Sequence, residues 1–114
     1  MPIAKSEISE IIVVFVTVPG LREGSRISRA ILTSRLAACV NVIPGVQSMY
    51  QWKGKIVREK EAMLVMKTTR LRYRKLEQKI KQLHPYEVPE IIAIPLICGS
   101  SQYIEWVKRE VANK

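Results

Sequence analysis

Apolar residues recur along this chain at two different spacings, and the changes from one to the other mark its elements. Ile11–Val18 (IIVVFVTV) is a continuous β-branched run, too short for a membrane helix and typical of a strand buried on both faces. It is expected to be central. Pro19-Gly20 stops it, and a helix is predicted to reach about Arg35, with Ile27, Ala30, Ile31 and Ser34 on one stripe. Ser25 would cap that helix, and a start near Leu21 fits equally.

Residues 36–68, LAACVNVIPGVQSMYQWKGKIVREKEAMLVMKT, return to a β pattern and organise the rest of the chain. They are expected to form one long antiparallel hairpin. Gly54 in Lys53-Gly54-Lys55 takes positive φ without steric cost, with Trp52 and Ile56 as expected cross-strand neighbours. Pro44-Gly45 interrupts the first arm and predicts a bulge or bend. Each arm of about a dozen residues exceeds the usual strand of roughly five or six, so the outer half should project. That half carries Val46, Met49, Tyr50, Trp52, Ile56 and Val57, and an uncovered apolar edge pairs readily with another chain. Self-assembly is the first functional expectation.

Helical spacing resumes after Thr68 or Thr69, either a suitable N-cap, with Tyr73, Leu76, Ile80 and Leu83 on one face and a Glu77/Lys81 pair beside it. His84-Pro85 ends this helix. The loop HPYEVPE leads into residues 91–97 (IIAIPLI), a strand that Pro95 places at a sheet edge or interrupts. Gly99-Ser100-Ser101 supplies a turn and a cap for a last helix burying Tyr103, Ile104, Val107 and Val111. The order predicts an α+β ferredoxin-like sandwich, βαββαβ plus a C-terminal helix, with a mostly antiparallel sheet and the helices on one face. One domain over 1–114 is expected, because no linker or repeat divides the chain.

Composition adds three constraints. With 114 residues and 47% hydrophobic content the chain can bury a core without metal or disulfides. Cys39 and Cys98 lie far apart with no CxxC and no basic-then-apolar leader, which points to reduced thiols acting as small hydrophobes in a cytoplasmic protein. No run approaches the roughly 18 residues of a membrane span. The net charge of +9 is local, since Lys67, Arg70, Arg72, Arg74, Lys75, Lys79 and Lys81 stand against Glu77 alone. That face is either a solvated helix surface or an attractor of nucleic acid, phosphate-bearing ligands or anionic membranes.

The catalytic templates are absent: there is no GxSxG, HExxH, P-loop or GxGxxG, and one histidine leaves no second base for most triads. A non-enzyme is expected. His84 stands among Pro85, Tyr86, Glu87, Pro89 and Glu90, where it reads as a helix-capping residue or as a ligand or proton-transfer group at a cleft. A metal site on it must recruit further ligands from elsewhere in the fold or from another subunit. Glu59 and Glu61 share a strand face, and Arg58 and Lys60 beside them suggest a solvated, charge-mixed strand.

LAACVNVIPGVQSMYQWKGKI, EAMLVMKT and HPYEVPEIIAIPL, with VVFVTVP before them and YIEWV after, closely resemble the CutA family of divalent-cation-tolerance proteins. The resemblance runs from about residue 11 to residue 108. It implies a ferredoxin-like fold similar to the PII-like signalling proteins, a homotrimer with the hairpin (Tyr50, Trp52) packed between subunits, and a cytoplasmic role in tolerance of copper and other divalent cations. His84, Tyr86 and Glu87 match the family's loop, while Glu61 and Lys67 match polar positions of the second hairpin arm, all lining a cleft between subunits. Some members described as copper-binding carry a cysteine where this chain has Val16 and a histidine where it has Leu83, so only His84 remains here of that set, with Glu87 or Glu61 as substitutes. The resulting expectation is a copper or zinc ion held by His84, Glu87 and Glu61. The alternatives are a PII-like small-molecule signalling protein and an anion or nucleic-acid module using the basic helix 70–81.

Overall fold

In the computed structural model, residues 10–112 are described; residues 1–9 and 113–114, part of the expected 1–114 domain, lie outside them. The elements are β1 (Ile11–Val18), α1 (Leu21–Thr33), β2 (Cys39–Trp52), β3 (Lys55–Thr69), a 3-10 turn (Arg70–Arg72) running into α2 (Tyr73–Leu83), β4 (Ile91–Pro95) and α3 (Ser101–Glu110). The sheet order is β2-β3-β1-β4, and every neighbouring pair is antiparallel. Because α1 carries the chain from β1 past the position that β3 will take, β3 inserts between β1 and β2. This is the ferredoxin-like arrangement.

Register decides where the core lies. Val14 opposes Met66, Val16 opposes Leu64 and Val18 opposes Ala62, and alternate side chains of a strand share a face. These residues meet Ile27 and Ile31 of α1 and Leu76 and Ile80 of α2 in one buried cluster. On the other face of β1, Val13 and Phe15 are only half buried, so the expected two-sided burial is incomplete within one chain. The third helix docks on β1 and β3, with Val107 and Val111 buried outside the main cluster.

Several local expectations are refined. The first helix starts at Leu21 with Gly20 as its N-cap and without a side-chain cap, so Ser25 lies inside it. Its buried stripe is Gly24, Ile27, Ser28 and Ile31 rather than one through Ala30 and Ser34. Close approach to the sheet explains the shift, since a Cβ on Gly24 would lie 3.3 Å from side-chain atoms of Leu64 and Val42. Neither threonine caps α2: Thr69 makes no side-chain cap bond, and Thr68 Oγ1 donates to Leu36 O (2.7 Å). Arg26 ties the two helices together, its guanidinium donating to Glu23 (2.7 Å) and to Leu83 O at the end of α2 (2.6 Å).

The hairpin forms over the predicted span, with a two-residue turn at Lys53-Gly54. Trp52 therefore pairs with Lys55 and Ile56 with Gln51, one step away from the expected Trp52/Ile56 pairing. The register shift between Ile43 and Val46 is the bulge predicted at Pro44-Gly45. The fourth strand is an edge strand that ends at Pro95, which leaves Leu96 and Ile97 outside it. Ser100 caps α3 as expected, its Oγ accepting from Tyr103 N–H (3.3 Å). Cys39 is half buried, whereas Cys98 lies beyond the strand and is exposed, so it is not the packed hydrophobe expected from its apolar neighbours.

Candidate functional site

Pro85 forces the chain out of α2 at His84, which adopts an extended conformation (φ −75°, ψ 134°) and starts the loop over the end of β1. There His84 is buried, and both of its ring nitrogens are engaged. Nδ1 accepts the Tyr86 backbone N–H at 3.1 Å, which leaves Nε2 to donate to Thr17 O at 2.7 Å. The rings of His84 and Tyr86 are 4.7 Å apart. This packing delivers the Tyr86 hydroxyl to Glu61 Oε2, to which it donates at 2.7 Å.

Glu61 is itself buried, with 7% of its surface exposed. The solvated-strand reading of this residue is therefore corrected. Glu61 opposes Val46, the first paired residue beyond the β2 bulge, and Tyr86 of the 84–90 loop lies over it with its hydroxyl on the carboxylate. Glu59, two residues further out, accepts the Tyr50 hydroxyl at 2.8 Å. Burial and the Glu61 carboxylate together push the Tyr86 phenol far above the usual tyrosine range, and the bond to Glu59 raises Tyr50 as well.

The outer hairpin and the 84–90 loop enclose an open cavity of about 980 Å³. Glu59, Glu61, Glu87 and Glu90 all line it, and no lysine or arginine does. Tyr50, Tyr86 and Trp52 complete its walls. Of the residues expected at a site, His84, Tyr86, Glu61 and Glu87 are thus gathered at one place, with His84 supporting the loop from beneath.

Lys67 is not among them. Six residues along β3 from Glu61, it lies about 20 Å away at the usual rise per residue, and its ammonium bonds the Asn41 side chain. Val16 is fully buried and Leu83 packs against the same core, so both serve packing. Glu59, Glu90 and the Thr17 carbonyl were not expected in the site. The alternation of Glu59 with Glu61 and the place of Glu90 in the group around His84 were the visible signals.

Among the described residues no three His, Cys, Asp or Glu side chains come together as a ligand group. An ion could reach His84 only if a bond to Thr17 or Tyr86 were given up.

A ferredoxin-like sandwich with a projecting hairpin closing on an acidic, tyrosine-lined cavity defines the structural class. The chain belongs to the family described as CutA1 divalent ion tolerance protein, which matches residues 12–110. It is 44% identical over 96 residues to the divalent-cation tolerance protein CutA of Thermus thermophilus, covering 84% of this chain and 93% of that one. Protein CutA, chloroplastic, of Arabidopsis thaliana is 41% identical over 102 residues, which is 90% of this chain and 56% of the relative. The crystal structure of CutA1 from Oryza sativa superimposes with a TM-score of 0.90 at 39% identity, covering 95% of this chain and 99% of that one.

Proposed function

We propose that this protein is a non-catalytic, homotrimeric, cytoplasmic protein that takes up divalent cations and serves tolerance of copper and other divalent ions. The observation that carries this reading is the cavity. Of ten acidic residues in a chain of net charge +9, four line this one space and no basic residue joins them. Such a lining concentrates cations inside an otherwise repulsive molecule. The names of the Thermus relative and of the family, both of divalent cation or ion tolerance, support the same reading.

In this reading the ion is an exchangeable ligand. Glu61 and Glu87 supply oxygen, and His84 adds nitrogen for copper(II) or zinc(II) when the loop opens to free a ring nitrogen. Equilibrium dialysis against both ions tests it, with Glu61→Gln and His84→Ala run beside the parent chain. Affinity is expected to fall roughly tenfold in Glu61→Gln, a loss of one carboxylate ligand. Equal binding by parent and Glu61→Gln would remove the assignment, and His84→Ala reports separately on whether imidazole takes part.

A second reading rests on size. A cavity of about 980 Å³ is much larger than one ion requires and falls in the range of small-molecule pockets. A PII-like signalling role would place a small organic cation there, and native mass spectrometry of the purified protein would reveal a retained ligand.

A further inference from the structure

The basic residues that the sequence places along 70–81 are divided by the fold. Lys81 and Glu77 pair with each other at 3.5 Å, and Glu77 also accepts the Tyr73 hydroxyl. Arg72, Lys75, Gln78, Lys79 and Gln82 recur at helical spacing on a different stripe, and they face Arg35 from the end of α1 across a cavity of about 400 Å³. No acidic and no aromatic side chain lines it.

Two features show that this groove is built. Arg72 Nε donates to Val111 O (2.6 Å) and Arg35 Nε donates to Glu110 O (3.0 Å), so carbonyls at the end of α3 fix both guanidinium groups. The terminal amino groups of Arg72 make no ion pair among the described residues, and one of Arg35's makes a long, exposed pair with Glu110 at 3.9 Å, both side chains being nearly half exposed. Arg35 also holds a left-handed backbone, φ 57°, at a helix end where glycine is the unstrained choice. Lys75 and Lys79 have no ion-pair partner among the described residues.

We propose that this groove binds the polyphosphate chain of a small soluble ligand. Arginine forks match phosphate oxygens, and lysines beside them act as point charges. A phosphate monoester carries roughly −1.5 to −2 charge, so two or three linked phosphates balance the four cations. The absence of an aromatic platform means that the groove reads phosphate rather than a base. Four cations in one short groove are also fewer than the roughly six to ten phosphate contacts typical of a nucleic-acid track. This site lies apart from the acidic cavity, and its test does not depend on cation binding.

Isothermal titration with inorganic tripolyphosphate, orthophosphate, ATP and a short RNA duplex decides it. Tripolyphosphate is expected to bind more tightly than orthophosphate. The Lys75→Gln/Lys79→Gln variant should weaken it roughly tenfold, while Lys53→Gln/Lys55→Gln, which removes the same charge at the hairpin tip, leaves it unchanged. Circular dichroism checks that both variants are folded. ATP equal to tripolyphosphate identifies the phosphate chain alone as the ligand chemistry; tighter ATP with the same variant dependence assigns the site to a nucleotide. Absence of tripolyphosphate binding, equal losses in both double variants, or a clear preference for RNA would overturn the proposal.

Discussion

At the scale of single residues, the informative contact is the one between Tyr86 and Glu61. A raised tyrosine pKa means that the folded state favours the neutral phenol, so the bond contributes its full stabilisation below the unfolded value of about 10. That contribution is lost as pH rises further, toward the folded value. Spectrophotometric titration should therefore show late-ionising tyrosines, with Tyr86→Phe removing the latest of them. The same variant leaves a buried carboxylate without its donor and is expected to lower stability by about 1–3 kcal/mol in denaturant unfolding. A curve unchanged in its late phase would show that Tyr86 does not hold this bond in solution. The sequence singled out His84, Tyr86, Glu61 and Glu87, but Glu61 between Lys60 and Ala62 reads as surface. Its burial comes from a distant segment, the 84–90 loop, which lays Tyr86 on the strand and which no pattern local to β3 reveals.

Among the elements, the hairpin was the most legible, because a long alternation broken by Lys-Gly-Lys permits little else. Its register was less so. The turn residues Lys53 (φ 50°) and Gly54 (φ 78°) are both left-handed, as a two-residue turn matched to strand twist requires. Lysine gives no such signal, whereas Asn-Gly would. Lys53→Asn is accordingly expected to stabilise the protein by about 0.5–1 kcal/mol, and Gly54→Ala to destabilise it by about 1–2 kcal/mol. Thermal melting of the pair checks both signs, and a neutral Gly54→Ala would show that the turn relaxes to another type. The helix starts were harder to read for a related reason: α1 and α2 both begin without a side-chain cap, so the polar residues that mark helix starts pointed to the wrong positions.

For the whole molecule, the shape carries the argument. The radius of gyration is 15.3 Å, above the roughly 13 Å expected for a compact chain of this length. The projecting hairpin accounts for the excess, and it exposes Met49, Trp52 and Ile56. Ile92, Ile94 and Ile97 are similarly open along or just beyond the edge strand β4, and the second face of β1 is half covered. A lone chain seldom leaves so much apolar surface beside an unpaired strand edge. In the proposed homotrimer further copies would cover all three exposures together, the number three resting on the family resemblance alone. Ile94→Lys puts a charge on that edge while leaving the helix-packed core untouched, so the fold should persist as the assembly fails. Light scattering is expected to give a mass near three chains for the parent and near one for the variant, with matching circular dichroism. A variant that keeps the parent's mass would show that β4 lies outside the interface and would leave the hairpin alone to hold the assembly.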